Sequence, residues 1–230
     1  MLLELHDQPL AGRIKVGGLL YGDFLTTQYE PTHYFVTLNE LVIQDEFASA
    51  VVSATHDPRV SEHSVGFSGM KGVGPLEACD VVLGLAWAPE TILLGNKLAT
   101  SLGKKFGFVE YARPRYAAAR FRADDVRCCR LKADERVVVI DDVCVTGDGL
   151  AQACGVVRDY GATPYGLVVV ARGSAETIQG PMAGNDVLVL VSPEDIGTPT
   201  GPTYVPLDIA KIEAQRGGPR APAARQPPSS

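Results

Sequence analysis

Apolar residues fall into two rhythms along this chain. Residues 80–86, 106–112, 136–142, 164–171 and 186–191 are short, nearly continuous apolar runs rich in Val, Leu and Ile. Runs of that length and composition predict buried strands. Between them, residues 90–102 and 148–160 carry apolar positions at helical spacing, and each run is followed by a glycine, Gly103 and Gly161, which is a common helix stop. Strands without polar alternation, separated by helices, predict a mainly parallel five-stranded sheet covered on both faces, an α/β fold.

The first 45 residues read differently. Residues 13–21 and 33–43 are expected to be strands joined by polar turns, and residues 45–54 a helix. We therefore expect three parts: a small β-rich N-terminal hood over residues 1–45, an α/β core over 46–214, and a tail over 215–230. The tail holds four Pro and three Arg and nothing apolar larger than Ala, too little to offset chain entropy, so disorder is expected there. The glycine-rich stretch at residues 66–74 lacks the Lys-Ser/Thr ending of a nucleotide P-loop and reads as a connector.

Composition narrows the classes. Hydrophobic residues make up 46% of the 230, enough for a proper core, and the net charge of −6 does not favour nucleic acid or an anionic membrane. No apolar run approaches the roughly 20 residues of a membrane helix, so a soluble cytoplasmic protein is expected. The five cysteines (79, 128, 129, 144 and 154) form no CxxC pair, and the four histidines form no HxH or HxxxH pattern, which disfavours a zinc hydrolase. One local imbalance stands out. Residues 113–136 carry eight cations against four acids, whereas the rest of the chain carries 13 cations and 23 acids. Such an Arg-rich stretch suits phosphate oxygens, or is simply a solvated loop.

The most informative segment is VVVIDDVCVTGDGL, residues 137–150. A hydrophobic strand runs into Asp141 and Asp142, then Val145, Thr146, Gly147, Asp148 and Gly149, and then a helix. Backbone amides of such a turn, at a helix N-terminus, are donors for a phosphate dianion. Paired carboxylates at the strand's carboxyl end suit the vicinal hydroxyls of a ribose, at the edge where open α/β sheets bind ligands.

This segment resembles the phosphoribosyl-diphosphate (PRPP) motif of type I phosphoribosyltransferases, and the order of further elements resembles the orotate phosphoribosyltransferases. Gly22-Asp23-Phe24 and the aromatics Tyr34 and Phe35 are similar to that family's hood, Arg113 to an Arg after the next strand, and Arg172 to an Arg reading the base's polar edge. The resemblance implies a PRPP-dependent pentosyltransferase of nucleotide metabolism that releases pyrophosphate. It implies Asp141 and Asp142 in catalysis, and Val145 to Gly149 with Arg113 on PRPP. It further implies Tyr34, Phe35 and Arg172 on a small planar acceptor, orotate or an orotate-like heterocycle or aromatic acid. Mg²⁺ as cofactor and a homodimer follow from the same resemblance, with no membrane or nucleic-acid partner. The family's Lys-His-Gly loop signature is missing between Arg113 and Arg136, and Gly149 stands where the family has Thr or Ser. A non-catalytic or regulatory member of the fold that binds PRPP or a nucleotide is the alternative.

Overall fold

A computed structural model describes residues 9–25, 31–57, 74–86, 88–112, 122–172, 178 and 180–197. The chain divides into two compact units. One comprises Met1–Leu20 with Val36–Thr200, the other Tyr21–Phe35 with Gly201–Ser230.

The larger unit begins with α1 (Leu10–Gly17). In chain order β1 (Leu19–Leu25) and β2 (Pro31–Val36) come next, a separate two-stranded sheet that falls mostly in the smaller unit. Helices α2 (Asn39–Val42), α3 (Asp45–Ala54) and α4 (Pro75–Ala78) follow. Then come β3 (Val81–Leu85), α5 (Pro89–Leu102), β4 (Lys105–Ala112), β5 (Arg122–Arg127), β6 (Arg136–Cys144), α6 (Asp148–Asp159), β7 (Thr163–Ala171) and β8 (Asp186–Val191).

The six-stranded sheet has the order β5-β4-β3-β6-β7-β8. The five strands expected from the apolar runs are all present and mutually parallel along the ladder. Their central positions are sealed: Val81 to Leu83, Leu85, Val137 to Ile140 and Leu167 to Val170 are all 0% exposed. Close layering helps. A Cβ on Gly84 of β3 would sit 2.7 Å from the Thr91 carbonyl oxygen, so the first turn of α5 rests directly on the strand backbone. Buried Thr91 satisfies its hydroxyl locally by donating to the Leu85 and Ala88 carbonyls.

Three expectations change. Residues 13–17 are helical, not extended. In a strand Ile14 and Val16 would share one face; in α1 Ile14 is fully buried beside Leu10 while Val16 is 55% exposed. In the same region, the strand expected over 33–43 ends at Val36, and Leu38 to Val42 turn into a helix whose Leu41 and Val42 are buried. The Arg-rich stretch also contains a sixth strand. β5 runs antiparallel to β4, pairing Val109 with Val126 and Phe108 with Arg127.

Parallel strands β3 and β4 build the sheet to one side, and β6, β7 and β8 build it to the other. The order reverses between β3 and β6. The carboxyl ends of those two strands flank the crevice where a doubly wound sheet accepts a ligand. Among the described residues no helix is long and apolar enough to cross a membrane. The tail over 215–230 lies outside the described residues, as does most of the glycine-rich stretch 66–74.

Candidate functional site

Strand β6 delivers Asp141 and Asp142 to this reversal point. Both are buried, at 4% and 8% exposure, although carboxylates are seldom buried without a partner. Asp141 Oδ1 has no hydrogen-bond partner among the described residues. The carboxyl is pushed well above the usual range, first by burial and second by the charge of Asp142, against a hydrogen bond with Cys144. Burial also pushes Asp142 up to about 6. The Val143 amide opposes that rise, and the carboxylate of Glu90, in the first turn of α5, adds to it. Glu90 is therefore near enough to Asp142 for its charge to act on that carboxyl.

The turn after β6 has Gly147 at φ +80°, the left-handed region, and α6 begins at the next residue. A Cβ at Gly147 would lie 2.9 Å from the Ile178 carbonyl oxygen, so glycine is needed for both conformation and space. The amides of Gly147 to Leu150 precede the first intrahelical bond, in which the Ala151 amide donates to the Gly147 carbonyl. Those amides carry the positive end of the helix dipole. The Gly147 amide donates toward Cys144. Thr146 Oγ1 donates to Asp148 Oδ2 at 3.1 Å and accepts a long bond from the Asp148 amide at 3.4 Å. Tyr111, near the end of β4, donates its hydroxyl to the Gly149 carbonyl at 2.7 Å, in a buried setting.

Arg172 joins the same rim: its amide donates to the Cys144 carbonyl at 2.8 Å, extending the β6–β7 ladder past Ala171. The structure therefore gathers Asp141, Asp142, Val145, Thr146, Gly147, Asp148, Gly149 and Arg172 at one end of the sheet. Arg113 lies outside the described residues. Tyr34 and Phe35 lie on β2, where only the backbone is described. Sequence reasoning missed Tyr111, Cys144 and Ile178 as parts of this site. The one available signal was an aromatic at the end of an apolar run.

A cavity of about 570 Å³ opens at the opposite end of the sheet, between Asp80, Lys104, Lys105, Lys132, Asp134 and Glu135. Lys105 pairs there with Glu135, and Asp80 with Arg136, and the cavity lies at the amino ends of the strands. The partnerless buried oxygen of Asp141 is at the other, acid-bearing end.

No family model matches the chain. It is 25% identical over 199 residues to orotate phosphoribosyltransferase of Methanosarcina acetivorans, covering 84% of this chain and 93% of that one. It is 26% identical over 155 residues to the Sulfolobus acidocaldarius enzyme of the same name, covering 67% of each. The crystal structure of orotate phosphoribosyltransferase from Aeropyrum pernix superposes with a TM-score of 0.59 at 24% identity, over 81% of this chain and 95% of that one. Adenine phosphoribosyltransferase of Trypanosoma brucei gives 0.55 at 18% identity, over 90% and 93%. The chain has the type I phosphoribosyltransferase fold, and in sequence it is similar to orotate phosphoribosyltransferases.

Proposed function

We propose that this protein transfers the 5-phosphoribosyl group of PRPP to a ring nitrogen of orotate or of a similar planar, anionic acceptor, releasing pyrophosphate. The observation that carries the reading is the buried, partnerless oxygen of Asp141 beside Asp142, next to a helix N-terminus at the strand-order reversal. A ribose phosphate supplies what each part lacks. Its 5-phosphate takes the amides at the head of α6, and its vicinal hydroxyls donate to the carboxylates.

The chemistry follows from those contacts. Bond breaking at C1 leaves the ribose ring with oxocarbenium character, and carboxylates held in a low-dielectric site stabilise that charge better than water does. Fixing the phosphate and the hydroxyls restricts C1 to a short path between leaving group and acceptor. The positive charge of the ring in turn favours the ionised forms of Asp141 and Asp142. Magnesium would come in with PRPP and would neutralise charge on the departing diphosphate. Among the described residues no three ligating side chains converge as a metal site, and Mg²⁺ on phosphates keeps several waters and needs few protein ligands.

The non-catalytic alternative draws on one observation: part of the segment that should carry the family's Lys-His-Gly loop is the edge strand β5. One experiment separates the readings. With Mg²⁺ and PRPP at 100 times Kd, the protein should gain about 2.7 kcal/mol of stability and release pyrophosphate with an acceptor from a panel of pyrimidines and aromatic acids. Stabilisation without release would favour the binding-only protein. Replacing Asp141 and Asp142 together by Asn should cut turnover by orders of magnitude in a folded protein, and near-normal release would remove them from the mechanism.

A further inference from the structure

Strand β3 ends at Leu85, which pairs with Val109, whereas β4 continues to Ala112. Two strands away, β6 continues to Cys144. The shorter strand between them leaves a notch in the sheet's rim, and Tyr111 stands at it. Its ring is 7% exposed and packs in the core cluster with Leu150, Ala153 and Cys154 of α6. Its hydroxyl spans from β4 to the Gly149 carbonyl in the first turn of α6. We propose that Tyr111 is a positioning residue for phosphate binding: it fixes the head of α6 at the notch, and with it the amides of the helix's first turn that are left for an anion.

This inference rests on the reading of that turn as the PRPP phosphate site. Three observations support the added role. First, the turn is not held from its own side chains. Gly147 and Gly149 offer none, and the Thr146–Asp148 contact at 3.1 Å is local and exposed. Second, a phenol has a single proton to donate. Tyr111 directs it to Gly149 although Asp141 is close enough for its charge to act on the phenol, and the buried Asp141 Oδ1 is left without a hydrogen-bond partner among the described residues. Third, Tyr111 is followed, after Ala112, by Arg113 and the cationic stretch, so the same side chain anchors that segment's point of departure to the phosphate turn.

The test uses the full chain carrying Tyr111→Phe, which keeps the ring and removes only the donor. Titration with PRPP and Mg²⁺, and separately with inorganic phosphate, should show roughly tenfold weaker binding of both, the scale of one lost buried hydrogen bond. In steady state, KM for PRPP should rise by a similar factor while kcat stays within about twofold. A role in packing alone would lower the melting temperature and leave both affinities and the KM-against-kcat split unchanged, and that result overturns the proposal. Tyr160→Phe, which removes an exposed Tyr160–Asp125 contact remote from the turn, serves as control and should change neither affinity. If the unsubstituted protein binds phosphate but not PRPP, the functional reading fails, while the phosphate arm still decides the role of Tyr111. If it binds neither, both fail.

Discussion

Asparagine at position 142 should make the empty protein more stable and the substrate-bound protein less so. Asp142 is 8% exposed and its carboxyl is pushed up to about 6 from an ordinary 3.8, chiefly by burial. The folded state therefore holds the proton more tightly than the unfolded chain does. The stabilisation tied to that proton is complete below 3.8 and is lost as pH rises through about 6. The full loss is about 3 kcal/mol above pH 7 and only about 1 kcal/mol at pH 4.5. Asn has the shape of the protonated acid and does not ionise. Asp142→Asn should thus gain little at pH 4.5 and about 3 kcal/mol at pH 8, or roughly 6–12 °C in melting temperature for a unit of this size. Loss of the charge next to Asp141 adds to the gain. Urea unfolding followed by circular dichroism from pH 4.5 to 8 measures the difference directly. A difference independent of pH would refute the claim that this carboxylate is held ionised at a cost. So would a variant that still gains as much from PRPP and Mg²⁺ as the unsubstituted protein.

Two further substitutions probe the turn. Gly147→Ala forces an L side chain into φ +80° and within 2.9 Å of the Ile178 carbonyl, at about 2–4 kcal/mol from backbone strain and crowding together; thermal melting should show that loss, and the stabilisation by PRPP should shrink with it. Asp148→Ala removes an exposed like charge beside the expected phosphate and frees the Thr146 hydroxyl from its 3.1 Å contact, so inorganic phosphate should bind a few-fold more tightly in low salt and the advantage should fade as salt screens it, at a small loss of melting temperature from the head of α6.

The sheet was legible because four of its five parallel strands are buried on both faces and leave nearly unbroken apolar runs, and the fifth, β4, has a run interrupted only by Glu110. β5 was not, since an edge strand tolerates charge: of Arg122 to Arg127 only Val126 is a large apolar residue. Read as composition, that segment is a cationic loop, and only the β4 pairing makes it a strand. α1 failed for a different reason. Ile14 and Val16 alternate with Arg13, Lys15 and Gly17, and so short a pattern satisfies a strand and one turn of helix equally. At the site, Asp141 to Gly149 could be read as a unit because they are contiguous. Tyr111, Glu90 and Ile178 lie 30 to 51 residues from Asp141, and only the strand order brings them to it.

The features that defy local rules fall within those nine residues. Asp141 is buried without a partner for one oxygen, Asp142 is buried near Glu90, and Gly147 is held in a left-handed turn against Ile178. None of these helps the empty fold, and the first two oppose it. Around them the central strands β3, β6 and β7 are largely apolar and buried, with stability enough to hold such strain in place. The protein itself does not relieve the two buried acids, whereas a ribose phosphate would: its hydroxyls would donate to the acids, a developing cation would offset their charge, and its phosphate would take the amides at the helix head. That the three requirements meet in one phosphorylated sugar, within one crevice, is the physical reason to read this end of the sheet as a phosphoribosyl site.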